Sequence, residues 1–175
     1  MKQILTVACE LYPDLMLRSA QVHDLDRLRE WKNFHRHRFF FQELITREMQ
    51  AAWFEGYLKR EQDYMFMVEV GRLPIGCMAV RRLVDTWDYY NIILGLEEFG
   101  GQGHMSRAFQ MLCSFALNLD SLRISGKVLK NNPAIEWYIR NSGKLVDTQA
   151  DYVELELDVN RFESCTLQVS AIAAT

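Results

Sequence analysis

The sequence predicts a single α/β domain built on a mixed, mostly antiparallel sheet flanked by helices. Three observations lead there. Apolar residues recur in helical steps in some stretches and in strand-like runs or alternation in others. Read in order, these give strand, two helices, three strands, helix, strand, helix, strand. A length of 175 residues holds one full core and is short for two domains.

The first strand is read over 15–18. A helix follows over 19–33, with Val22, Leu25, Leu28 and Trp31 at three-residue steps and Ser19 or Asp24 as its cap. A basic and aromatic connection comes next, with His35, Arg36, His37 and Arg38 leading into three phenylalanines at 39–41. Thr46 has the form of an N-cap for a second helix reaching about Arg60, with Met49, Trp53, Tyr57 and Leu58 along one side. The continuous apolar run 64–70 reads as a strand covered on both faces. Turn residues at 71–76 lead to its hairpin partner over 77–83.

A third strand occupies 87–94. Strict alternation would put Trp87, Tyr89, Asn91 and Ile93 on one face and Asp88, Tyr90, Ile92 and Leu94 on the other. A glycine-bearing loop and a helix over 105–118 follow, then a strand over 122–129 and a short helix over 134–141. The period-two run 152–159 is a half-buried antiparallel strand. The domain is read as 1–160. Residues 161–175 show no firm pattern and are expected to form a C-terminal tail.

Composition bounds the function. A net charge of −3 argues against bulk attraction to nucleic acid or an anionic membrane. The four cysteines Cys9, Cys77, Cys113 and Cys165 lie far apart without metal-ligand spacing, so free thiols and no metal are expected. The apolar run 4–9 stops at Glu10, too soon for a signal peptide or membrane span. A soluble cytoplasmic protein is expected.

Two segments carry chemistry. The first, Glu97-Glu98-Phe99-Gly100-Gly101-Gln102-Gly103-His104-Met105-Ser106, stands between a strand and a helix. Free amides at a helix N-terminus hold anions, and glycines let the backbone approach a phosphate. The second, about thirty residues on, is Asn131-Asn132-Pro133-Ala134-Ile135-Glu136-Trp137-Tyr138, continuing to Gly143.

In this order and at this distance the pair resembles the two acyl-CoA-binding motifs of the GNAT superfamily, the acetyl-CoA-dependent N-acyltransferases. The element order resembles that family over about residues 15–160. The resemblance implies acetyl-CoA as acyl donor. Its pyrophosphate would lie on the loop of Gly101, Gln102, Gly103, His104, Met105 and Ser106. Gly100 stands where the family has Arg or Gln, and Met105 where it has Gly or Ala. Asn131 takes the family's cofactor-contacting position, and one extra residue appears before Gly143. Tyr138 takes the place of the general acid at the thioester sulfur. Backbone amides at the end of the preceding strand, Leu94 and Leu96 among them, would meet the pantetheine arm and thioester.

The general base is open among Asp88, Tyr90, Asn91, Glu97 and Glu98, and Glu98 is carried with Tyr138 as catalytic. Arg36, Arg38 and Asn91 are the candidate acceptor-binding residues. The 31–38 segment is similar in style to members that acetylate sugar-nucleotide amines, so the acceptor implied is a small-molecule amine, first a nucleotide-linked amino sugar. A protein or small-metabolite amine is the alternative, as is a non-catalytic acyl-CoA-binding domain. A homodimer is compatible with the sequence.

Overall fold

The computed structural model describes residues 2–172. Its strands are β1 (Ile4–Cys9), β2 (Leu15–Ser19), β3 (Asp63–Val70), β4 (Leu73–Arg82), β5 (Thr86–Leu94), β6 (Arg123–Leu129), β7 (Gly143–Thr148), β8 (Tyr152–Leu157) and β9 (Leu167–Ile172). Its helices are α1 (Leu25–Phe34), α2 (Arg47–Lys59), α3 (His104–Leu119) and α4 (Ile135–Arg140). The described strands form one sheet in the order β7-β8-β6-β5-β4-β3-β2-β1-β9. Every neighbouring pair is antiparallel except β5 and β6, which α3 joins as a parallel crossover.

α3 covers one face of this sheet. Its Phe109, Met111, Leu112 and Phe115 pack with Val7, Leu17, Phe66, Val68 and Met78. α1 and α2 cover the other, where Leu28, Trp31, Phe54 and Tyr57 meet Met65, Met67, Cys77 and Ile93. With both faces covered, β3 is buried along nearly its whole length, as its apolar run predicted.

Three strands depart from the expected order. β1 alternates faithfully, with Leu5, Val7 and Cys9 buried, but polar and small residues between them hid the pattern. β7 is exposed beyond Gly143, so it had no buried face to betray it. The expected tail instead contributes β9, which lies antiparallel to β1 from Ile4↔Ile172 to Cys9↔Leu167. An edge pairing between the two ends of the chain is non-local and leaves no local signature. Ahead of β9, the Cys165 amide donates to Ser114 Oγ at 3.0 Å and anchors the segment to α3.

The first helix also starts later than the periodicity suggests. Ser19 ends β2, a 3-10 turn spans Val22–Asp24, and α1 begins at Leu25. Asp24, fully buried, accepts from Arg18 Nη1 and Nη2 at 2.9 and 3.0 Å and from the Gln21 amide at 2.9 Å. Burial alone would raise its pKa. Arg18 and the amide outweigh that and hold the carboxyl below its usual value.

What positions the site is the break in the sheet. β5 and β6 pair only at Thr86↔Arg123, Trp87↔Ile124 and Asp88↔Ser125, then diverge into a notch. Tyr89 fills its vertex. Its ring lies where a β-carbon on Gly126 would come within 2.2 Å, and its hydroxyl donates to the Leu155 carbonyl at 3.0 Å. A side chain at Gly126 would expel this ring.

Past the vertex, Asn91 has φ 49° and β5 carries one residue more than β4 between the pairs Ala79↔Tyr90 and Cys77↔Ile93. This bulge overturns the strict alternation expected for the strand. Trp87 and Tyr89 face α3, but Ile93 faces α1 and α2, while Ile92 and Leu94 pack on the α3 side.

Candidate active site

Two cavities meet at the notch. One, of about 520 Å³, runs from the end of β5 over the glycine loop and the α3 N-terminus to α4. The other, of about 540 Å³, opens between β5, β6 and the α1–α2 connection. They share Arg38, Phe39, Ile92, Asn132 and Tyr138.

The loop end of the first cavity is built from backbone. The Gly100 amide donates to Glu97 O, and the first α3 bond is Arg107 N to Gly103 O at 3.0 Å. The amides from 101 to 106 donate to no group among the described residues. Gly101 and Gly103 have φ 71° and 79°, a region where side chains are strained, and this curls the loop into the helix. Free amides, a helix N-terminus and nearby His104 and Arg140 form a region suited to an anion. Met105 does not crowd it. Its sulfur packs against β4 at Gly76, where a β-carbon would lie 3.1 Å away.

Gly101, Gly103, His104, Met105 and Ser106 all line this cavity; Gln102 does not. The Gln102 side chain instead braces the loop by donating to Glu98 O at 2.7 Å. Ser106 Oγ accepts from Trp137 Nε1 at 3.1 Å, which ties α3 to α4.

Tyr138 stands where the cavities join. Its ring stacks on Tyr89 with centroids 5.1 Å apart and meets Phe109 and Trp137 edge-on. Its hydroxyl makes no hydrogen bond among the described residues. Burial pushes its pKa far above that of a free phenol, so it stays protonated.

Several expected residues lie elsewhere. Leu94 lines the cavity, but Leu96 does not, and its amide donates to Ile75 O at 3.0 Å. Asn131 is exposed. Its neighbour Asn132 lines both cavities, accepts from the Ala134 amide at 2.9 Å and donates to Arg38 O. Glu98 is exposed outside the cavity, and Glu97 lines it, because the 3-10 turn Glu97–Phe99 puts adjacent residues on different sides. Arg36 is also exposed, bonded to the Asn33 carbonyl, whereas Arg38 lines both cavities. Asn91 lines the second.

Two residues that the sequence placed only within the 31–38 segment, without a role, lie at the site. His35 lines the first cavity with its Nδ1 buried and unpartnered, and burial together with Arg38 lowers its pKa. Lys32 lines the second and donates to Asn91 Oδ1 at 2.6 Å. A signal existed for Lys32: it continues the stripe Leu25, Leu28 on the covered side of α1, where a charge is out of place. Among the described residues there is no group of three His, Cys, Asp or Glu side chains that could hold a metal, and no helix long and apolar enough to cross a membrane.

The family model described as "Acetyltransferase (GNAT) domain" matches residues 14–143. The chain belongs to the GNAT acetyltransferases. As a GNAT it is an acyl-CoA-dependent N-acyltransferase, and the family uses acetyl-CoA as donor. A search of curated proteins by sequence gave no match. Solved structures share the fold at low identity. A domain from Methanocaldococcus jannaschii superposes with a TM-score of 0.71 at 16% identity, covering 81% of this chain and 96% of that one. An unliganded nucleotide-linked sugar GNAT gives 0.71 at 13%, covering 85% and 89%. Spermidine N-acetyltransferase from Vibrio cholerae, in complex with CoA and spermine, gives 0.71 at 16%, covering 82% and 94%.

Proposed function

We propose that this GNAT moves an acetyl group from acetyl-CoA to the primary amine of a small, negatively charged acceptor, a nucleotide-linked amino sugar fitting best. The donor's phosphates fit the free amides of 101–106, with His104 and Arg140 beside them, and the pantetheine arm fits the cavity past Leu94 to Tyr138. Acetyl-CoA supplies a thioester whose carbonyl an amine can attack. Tyr138 then donates a hydrogen bond to the departing sulfur. A thiol has a pKa near ~8.5, so complete proton transfer from a phenol raised above its usual value is uphill. Tyr138 therefore assists by hydrogen bonding more than by giving up its proton.

The acceptor reading rests on charge. Lys32, Arg38, Arg81 and Lys127 line the second cavity, against the single carboxylate Asp88, which Arg81 engages at 2.8 Å. Of the solved relatives, one is a spermidine enzyme and another a sugar-nucleotide enzyme. A polyamine would meet Arg38, Arg81 and Lys127 here, with Asp88 already paired to Arg81. Phosphates would meet Arg38 and Lys127, and a guanidinium suits phosphate geometry.

The test is acetylation of a nucleotide-linked amino sugar and of spermidine, followed by CoA release. Turnover should favour the anionic acceptor and weaken with salt. Arg38→Ala should raise its KM about 10- to 100-fold, the worth of one charge-assisted hydrogen bond, and leave the acetyl-CoA KM nearly unchanged. Arg36→Ala should leave both KM values nearly unchanged. A preference for spermidine, or an Arg38→Ala variant with unaltered acceptor KM, would sink the reading.

A further inference from the structure

The second cavity needs a group that takes the acceptor's proton, and the carboxylate that lines it is committed, as is the one behind Tyr90. Asp88 is held by Arg81, while buried Asp63 accepts from the Tyr90 hydroxyl and from Arg60 at 2.7 Å. Lys32 is differently placed. Its ammonium reaches from α1 to where the second cavity meets a third, apolar one of about 320 Å³ between α1, α2 and β5. No carboxylate lies within ion-pair distance among the described residues. Among the described residues its hydrogen-bond partner is Asn91 Oδ1 at 2.6 Å, and the Phe39 ring centroid is 3.3 Å away.

Resting on the acetyltransferase reading above, we infer that Lys32 is the general base of this enzyme, taking the ammonium proton of the acceptor on its neutral amine. Asn91 Oδ1 accepts one N–H in either protonation state and leaves the nitrogen lone pair for the acceptor. The bulge at Asn91 is what brings that amide to the lysine. Once protonated, Lys32 is stabilised over the Phe39 face.

The step balances. The acceptor ammonium passes a proton to Lys32, and the freed amine forms a C–N bond to the thioester carbonyl carbon. The C–S bond breaks and the thiolate takes the second amine proton, with Tyr138 hydrogen-bonded to the sulfur. Lys32 then releases its proton to water.

Burial lowers the Lys32 pKa to about 8, with only Cys77 acting the other way. At pH 7.5 roughly a quarter of such a lysine is neutral, against about a thousandth of an ordinary one. The groups on the strands beside Lys32 are engaged, and His35 and Glu97 line the other cavity. From β4, the Cys77 thiol is pushed up to about 12 and donates to the Asn91 carbonyl. From β5, Tyr90 is raised and bonded to Asp63, and Asp88 is paired. Arg38, Arg81 and Lys127 are the cations on the cavity wall, and α2 presents the uncharged Gln50 to the apolar side.

The experiment follows kcat and kcat/KM against pH for the unaltered chain, Lys32→Arg and Lys32→Gln, alongside an NMR titration of the Lys32 side chain. The lysine should titrate near 8, and kcat/KM should rise with pH through that value, beyond any limb from the acceptor's own amine. Both variants should lose about 10²- to 10⁴-fold in kcat at pH 7.5, the range for general-base catalysis, while acetyl-CoA still stabilises them against heat. Arginine separates proton transfer from charge, since it keeps the cation but cannot act as base. A Lys32→Arg variant within about threefold of the parent kcat overturns the proposal, as does a lysine titrating above 10. The NMR outcome stands even if both variants fail to fold. An unaltered chain that releases no CoA with any amine sinks the acetyltransferase reading itself, and this one with it.

Discussion

The setting of Tyr138 is made by what surrounds it. Tyr89 stacks on its ring, Tyr89 fits because position 126 is glycine, and Phe109 and Trp137 close the remaining sides. The hydroxyl is left as a protonated donor at the junction of the two cavities. Tyr138→Phe keeps the ring and removes only that donor. It should lower kcat about 10- to 100-fold, the value of a hydrogen bond to a developing anion, and leave acetyl-CoA affinity nearly unchanged. Single-turnover kinetics would check this, and an unchanged chemical rate would contradict it. At this scale the sequence is legible where a local motif fixes the residue, as for Gly103 and Tyr138. At Asn131 and Glu98 the cavity is lined instead by the neighbours Asn132 and Glu97, because adjacent residues there point to different surroundings. Lys32 and His35 sit inside the 31–38 segment, but nothing local singles them out, since burial by distant segments is what sets them apart.

Among the elements, the end of α4 shows how a departure from a motif is absorbed. The sequence suggests one extra residue between Tyr138 and Gly143. Ser142 itself takes the left-handed turn, with φ 68°, at the position where the family pattern has glycine, and Gly143 opens β7 packed against the Tyr138 carbonyl. Serine in that conformation costs about 1 kcal/mol relative to glycine. Ser142→Gly should therefore raise stability by about that amount, or Tm by about 2–4 °C, despite losing a long surface bond to the Arg161 carbonyl. A thermal melt would show it, and a lowered Tm would refute the strain. Elements with strong local pattern, such as β3, α2 and α3, are read nearly to their ends. β1 and β9 hold each other across the whole length of the chain, and β7 lacks a buried face, so neither pattern nor spacing revealed them.

For the whole molecule, the decisive feature is the parallel pair that interrupts the antiparallel order of the described strands. β5 and β6 join for three residues and part, and the notch receives a glycine loop from one side and a cation-lined cavity from the other. On the proposed reading, the donor's thioester and the acceptor's amine approach from opposite openings and meet beside Tyr138. The order of elements and the spacing of the two motifs make this arrangement readable in outline. The depth of the cavities and the charge on their walls come only with the fold.

Thermal unfolding with and without acetyl-CoA tests the account at its centre. At a hundredfold excess over Kd the donor should add about 2.7 kcal/mol, a rise in Tm of roughly 5–10 °C for a chain of this size. An unmoved Tm at millimolar acetyl-CoA would mean that the free amides of 101–106 do not hold the donor, and the account would fail.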